Sequence, residues 1–179
     1  MTDPGRNSFW QAYQRRVGQV IKAAAYLAGL LILAIGFFVF YEVVLRYAFD
    51  SPTLWVMDYS IYFAMWAAFL GSAQTMRTRG HVLVDVVTAK LGAKEQRLIR
   101  IGVHAVVLSF ALTLTAAGVR STYSAFVMNE LTMSALYIPL YYPMSSIPVG
   151  SFLLALEEVG SLAGLITNLE PDPEEVVHQ

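Results

Sequence analysis

Four long stretches without an ionised side chain govern what this chain can become. They are Ala23–Tyr41, Tyr59–Met76, Ile101–Val119 and Leu131–Leu156, of 19, 18, 19 and 26 residues. A helix rises about 1.5 Å per residue, so roughly 20 apolar residues cross a hydrocarbon layer of about 30 Å. Backbone groups find no water in that layer, and only helices and closed β-barrels satisfy them internally. Barrel strands alternate in hydrophobicity over about ten residues, and these stretches do not alternate. The sequence therefore predicts an all-α integral membrane protein with four transmembrane helices plus short interfacial amphipathic helices. Only 14% of the 179 residues are charged, against about a quarter in an ordinary soluble domain.

Taken in order, residues 1–19 form a polar segment with Phe9, Trp10 and Tyr13 on one side, followed by Arg15, Arg16 and Lys22. This pattern predicts a helix lying in the headgroup region, capped by Ser8. The first run is too long for a signal-peptide core and no small-residue cleavage site follows it, so it is expected to be retained. The transmembrane domain occupies 20–166, with spans at about 20–47, 53–78, 95–125 and 143–166. Ala25, Gly29 and Gly36 give the first span small positions where another backbone could approach. Asp50-Ser51-Pro52-Thr53 reads as a turn, with Asp50 or Ser51 capping the second span and Pro52 opening it. Gly80 is placed to end that span, and residues 81–91 then form a surface helix ended by Gly92. Tyr137, Tyr141 and Tyr142 sit before the last span, where an aromatic belt is expected. The acidic, proline-bearing tail 167–179 is expected to be disordered. No internal repeat is detectable, unlike many secondary transporters.

Charge sets the orientation. Arg6, Arg15, Arg16, Lys22, Arg77, Arg79, Lys90, Lys94, Arg97 and Arg100 flank the ends that carry the termini and the second connection. Arg46 and Arg120 are the only basic residues at the other ends. The positive-inside bias predicts cytoplasmic N- and C-termini.

Most routes to chemistry are closed. The chain has no cysteine, hence no disulfide, thiol nucleophile or Cys-based metal site. It has no HExxH, GxSxG or phosphate-binding loop, so an enzyme is not expected. A bis-histidine haem would need two histidines within spans, and only His104 lies in one. No cofactor, metal or nucleic-acid partner is expected. Ionisable residues cluster at the span ends: Glu42, Arg46, Asp58 and Arg120 at one side, Arg77, His81, Asp85, Glu157 and Glu158 at the other. A transport path needs such groups near the midplane, so the chain alone is not expected to conduct or pump.

The remaining candidates are structural or interfacial. Glu42 and Arg46 stand in the favourable order for an ion pair one turn apart. His81 and Asp85 share that spacing and could clip the surface helix to the second span. Trp55, Asp58, Tyr62, Trp66, Phe69, Ala73 and Arg77 fall on one helix face, with Ala64, Ala68 and Gly71 opposite. Aromatics are enriched at interface cores, so one of these faces is expected to meet a protein partner.

These residues carry a resemblance. Glu42, Arg46, Tyr47, Phe49, Ser51, Pro52 and Trp55, then Asp58, then Trp66, Phe69, Leu70, Gly71 and Ala73, then Arg79, Gly80, His81, Val84 and Asp85 follow a familiar pattern. It resembles the small membrane subunit of TRAP transporters, the DctQ family. The Ile147-Pro148-Val149-Gly150 step into the last span looks familial too. The family usually has glutamate where Asp58 stands, so the charge is kept with a shorter reach. The resemblance implies a tripartite, sodium-coupled transporter of an organic acid in the bacterial inner membrane. A large subunit of about twelve spans would carry the transport site, and an extracytoplasmic substrate-binding protein would deliver the substrate. The small subunit would act as a scaffold among the membrane lipids, and its outer loops 48–53 and 121–142 could help to dock the binding protein. The alternatives that the residues leave open are a membrane anchor for a respiratory oxidoreductase and a self-assembling channel subunit.

Overall fold

The computed structural model describes residues 4–88, 92–133 and 136–167, with side chains over 12–78, 92, 95–133 and 136–166. Among them the chain is helical, with α1 Pro4–Phe49, α2 Trp55–Thr88, α3 Ala93–Val127, α4 Tyr141–Met144 and α5 Ser146–Thr167. The only β geometry among the described residues is an isolated bridge between Leu131 and Pro139. The all-α expectation holds.

Among the described residues three segments are long and apolar enough to cross a membrane: Ala12–Phe49, Glu95–Val127 and Tyr141–Ile166. The α2 helix has the length but is not among these three. Ser60, Tyr62, Trp66, Ser72, Gln74 and Thr75 dilute its aliphatic content.

Several boundaries differ from the sequence reading. The α1 helix is continuous from Pro4, so residues 4–19 are not a separate helix and Ser8 lies inside a turn rather than capping one. Likewise α2 runs through Gly80 to Thr88, so the expected break before the 81–91 surface helix is absent. A glycine inside a helix costs only about 1 kcal/mol relative to alanine, which flanking turns can carry. Gly92 instead caps α3: its carbonyl accepts the Gln96 N–H at 3.0 Å, and its own N–H donates to Glu95 at 3.4 Å. Residues 89–91 and the 168–179 part of the expected tail lie outside the described residues.

The helices stand in a row rather than a closed square. Contacts join α1 to α2, α2 to α5, and α5 to α3, while α1 and α3 do not meet among the described residues. The α5 helix is therefore central: 44% of its apolar window is buried, against 11% for the spans of α1 and α3. Packing follows a heptad-like stripe on α1, where Ile21, Ala24 and Ala28 are buried. Ala24 and Ala28 meet Ala67 and Leu70 of α2, flanked by Leu31, Trp66 and Leu153. Small side chains let the backbones approach, and dispersion replaces the hydrophobic effect where lipid is the solvent. Gly29 and Gly36 play no such part within the chain, because nothing lies within 4 Å of a side chain built on either.

Two glycines, on α3 and α5, set the packing around α5. A Cβ on Gly150 would sit 2.5 Å from the carbonyl carbon of Phe69 in α2. One on Gly118 of α3 would lie 2.9 Å from the Pro148 ring. The Ile147-Pro148-Val149-Gly150 step thus fits α5 between its two neighbours. A hydrogen bond of 2.9 Å from Thr115 to the buried Ser151 hydroxyl adds a polar contact between α3 and α5.

Candidate functional site

The charged side chains gather toward the two ends of the row. At the end holding the α1–α2 turn, Asp50 adopts φ 49°. Aspartate tolerates this left-handed conformation better than most residues, and it lets the chain reverse after Phe49. Glu42 closes the turn. Its carboxylate receives Arg46 at 3.0 Å, the Thr53 N–H at 3.0 Å and the Thr53 hydroxyl. With Thr53 held by α1, α2 starts at Trp55, not at the expected Pro52. The Glu42–Arg46 pair is therefore part of a clasp that ties α1 to the start of α2.

Trp55 packs edge-on to Phe38 at 5.5 Å between centroids, and also contacts Tyr41 and Tyr59. This cluster belongs to the α1–α2 contact. Further along α2, Trp66 joins the alanine core, Phe69 backs onto Gly150, and Ala73 is fully buried. The aromatic face of α2 is thus largely occupied inside the chain. Tyr62 and Asp58 are half-buried. Asp58 Oδ2 is shielded from solvent and makes no hydrogen bond among the described residues. Beyond α3, residues 128–133 and 136–140 belong to a loop. Asn129 takes φ 49°, and Thr132 and Leu140 bond back to Ile138 and Glu130, at 2.9 Å each. The loop leaves Met128, Leu131, Met133 and Tyr137 exposed.

The opposite end holds a polar hub centred on α5. His104 Nδ1 of α3 lies 2.6 Å from Glu158, with both side chains buried. Arg77 of α2 lies 3.6 Å from Glu157. The Tyr13 hydroxyl of α1 donates to the Leu156 carbonyl at 2.9 Å, and Arg97 of α3 donates to the Leu165 carbonyl at 2.7 Å. Adjacent acids on one helix point to different neighbours because successive residues are about 100° apart. Thus Glu157 and Glu158 connect α5 to α2 and α3 at one level. The sequence alone places the two acids at the end of a span and does not mark them as a site, whereas they stand in the middle of α5. One signal was present: two carboxylates inside a segment expected to span, where unpaired charge is costly. The side chains of His81 and Asp85 lie outside those described, and their backbone is helical within α2.

Among the described residues no three His, Asp or Glu side chains converge as a metal site would require. The arrangement cross-links helices. A family model for tripartite ATP-independent periplasmic transporters, DctQ component, matches residues 35–168. The chain belongs to the DctQ family. It is thus the small component of a TRAP transporter, a transport subunit rather than an enzyme, in a system with a large membrane subunit and a periplasmic binding protein. The DctQ match takes in the Glu42 clasp, all of α2 and α3, and the acids of α5. Tyr13 and Gly18 precede it. No curated protein matches the chain.

Proposed function

We propose that this DctQ subunit is a four-span scaffold for the large subunit of a sodium-coupled organic-acid transporter, and carries no transport site itself. The observation behind this reading is the spacing of ionisable groups along α1, α2 and α3. Lys22 to Glu42 on α1, Asp58 to Arg77 on α2 and His104 to Arg120 on α3 leave 19, 18 and 15 residues between them without an ionisable chain other than tyrosine. At 1.5 Å per residue these gaps are roughly 24–30 Å, close to a hydrocarbon thickness. The charged groups form two boundary rings, while a substrate path needs them between the rings.

The same spacing supports α2 as the fourth span. It lies antiparallel to α1 along its length, from the Glu42–Thr53 contact to the approach of Arg77 to Gly18. The basic bias at the hub end supports cytoplasmic termini, and the family supports residence in the bacterial inner membrane. The row shape supports a scaffold: α1 and α3 each keep broad apolar faces for lipid or for the large subunit. A groove of about 510 Å³ between Ala68 and Thr75 of α2 and Val107 and Phe110 of α3, floored by Leu154, offers another surface. The outer loop with Met133 and Tyr137 is suited to help dock the binding protein.

Affinity purification from native membranes tests the proposal. A stoichiometric partner of about twelve spans is expected, and sodium-dependent uptake should need both subunits and the binding protein. Uptake by proteoliposomes holding this chain alone would overturn it, as would isolation with a haem band and a flavoprotein.

A further inference from the structure

At the hub end, Gln14, Arg15, Gly18, Gln19 and Lys22 of α1 and Arg77 of α2 line a recess of about 440 Å³. Three of these six residues are cations, two are amides, and no carboxylate lines the recess among the described residues. Gly18 makes the arrangement possible. A Cβ there would lie 2.6 Å from Arg77 Nη2, so the absent side chain lets the guanidinium lie over α1. Arg77 Nη1 is shielded from solvent and makes no hydrogen bond among the described residues, with Glu157 at 3.6 Å. Glu157 offsets part of the Arg77 charge, but Arg15 and Lys22 share the same opening, and an anion there would be attracted by all three cations.

The recess continues onto a second surface. Arg15, Gln19, Lys22, Tyr26, Leu30 and Leu33 follow in steps of three and four, hence on one face of α1. Tyr26, Leu30 and Leu33 are 81%, 62% and 73% exposed. The face changes from cationic to apolar within one turn, between Lys22 and Tyr26. A free phosphate would use only the recess. A phospholipid matches both parts, because its charged headgroup and its acyl chains are joined in that order. We propose that the recess binds the phosphate of an anionic phospholipid, whose acyl chains run along Tyr26, Leu30 and Leu33. Basic pockets beside membrane helices commonly take such headgroups. The recess shares Arg77 with the hub, while Arg15 and Lys22 take no part in the helix-to-helix contacts described there, and its test does not require transport.

The test is native mass spectrometry of the full chain in neutral detergent, titrated with phosphatidylglycerol or phosphatidylcholine. Phosphatidylglycerol should bind in preference. Arg15→Gln with Lys22→Gln should reduce that preference about 30-fold, from a factor of about five for each cation near a headgroup. Both side chains are exposed, so the fold is not at risk. Arg16→Gln removes an exposed neighbouring charge that does not line the recess, and should leave the preference intact. Equal binding of the two lipids would overturn the proposal. An equal loss in Arg16→Gln would also do so, since it would show general surface charge. Displacement of the lipid by excess inorganic phosphate would assign the recess to the free anion instead.

Discussion

Removing the His104 imidazole should cost far more than removing an ordinary hydrogen bond in the same interface. His104 and Glu158 have side chains 4% and 1% exposed, with 2.6 Å between Nδ1 and the carboxylate. His104→Leu keeps an apolar side chain in that space and takes the imidazole away from Glu158. Breaking one side of a buried pair costs about 3–5 kcal/mol, because the other polar group keeps its desolvation penalty. At 1.4 kcal/mol per tenfold, the lower bound is already a change of about 150-fold in the unfolding equilibrium. Replacing both partners by leucine removes the pair and the orphan together, and such replacements are often nearly neutral. The double variant should therefore recover most of the loss, with a coupling of at least about 2 kcal/mol. Ser151→Ala is the internal comparison. It removes a neutral contact between α3 and α5 of 2.9 Å, and such contacts in membranes average about 0.6 kcal/mol. Reversible unfolding in mixed micelles, followed by tryptophan fluorescence, measures the parent chain, His104→Leu, Glu158→Leu, the double variant and Ser151→Ala. A His104→Leu cost below about 1 kcal/mol, or strictly additive single variants, would refute the idea that this pair holds α3 to α5.

Three further outcomes are expected. Gly150→Ala places a Cβ 2.5 Å from the Phe69 carbonyl carbon and should destabilise by about 1–3 kcal/mol as α5 moves off α2, whereas Gly29→Ala and Gly36→Ala meet open space and should be neutral or stabilise by up to about 1 kcal/mol; thermal melts in detergent separate the two classes. Glu42→Ala releases Arg46 and both Thr53 groups, so the Thr53 amide should exchange hydrogen faster by mass spectrometry, and unchanged protection would count against the clasp. Asp58 makes no hydrogen bond through Oδ2 within the described chain and Arg46 is mostly exposed. Asp58→Ala or Arg46→Ala should lower recovery of the large subunit or uptake without changing which substrate the binding protein selects; intact assembly and uptake in both would remove these residues from the interface.

The helical class was legible because the length and composition of an uncharged run set its behaviour in lipid. The Glu42–Arg46 pair was legible too, since residues four apart on a helix are neighbours whatever surrounds them. The breaks were less so. Gly18 and Gly80 are each compatible with a helix interior or a helix end, and here both are interior. Thr53 is withdrawn from α2 by a carboxylate eleven residues earlier, a contact that no local propensity encodes.

The amino-acid order is enough to establish that the chain is helical and apolar, that long uncharged runs separate its charges, and that its motifs are those of the DctQ family. Tertiary structure decided which helix is central and which residues meet. Apolar periodicity in lipid does not say which face meets protein, because lipid and side chains are equally apolar. Only the row of α1, α2, α5 and α3 brings Glu157 to Arg77 and Glu158 to His104. Only that row gives Gly118, Gly150 and Gly18 their purpose, each set by a neighbour from another helix.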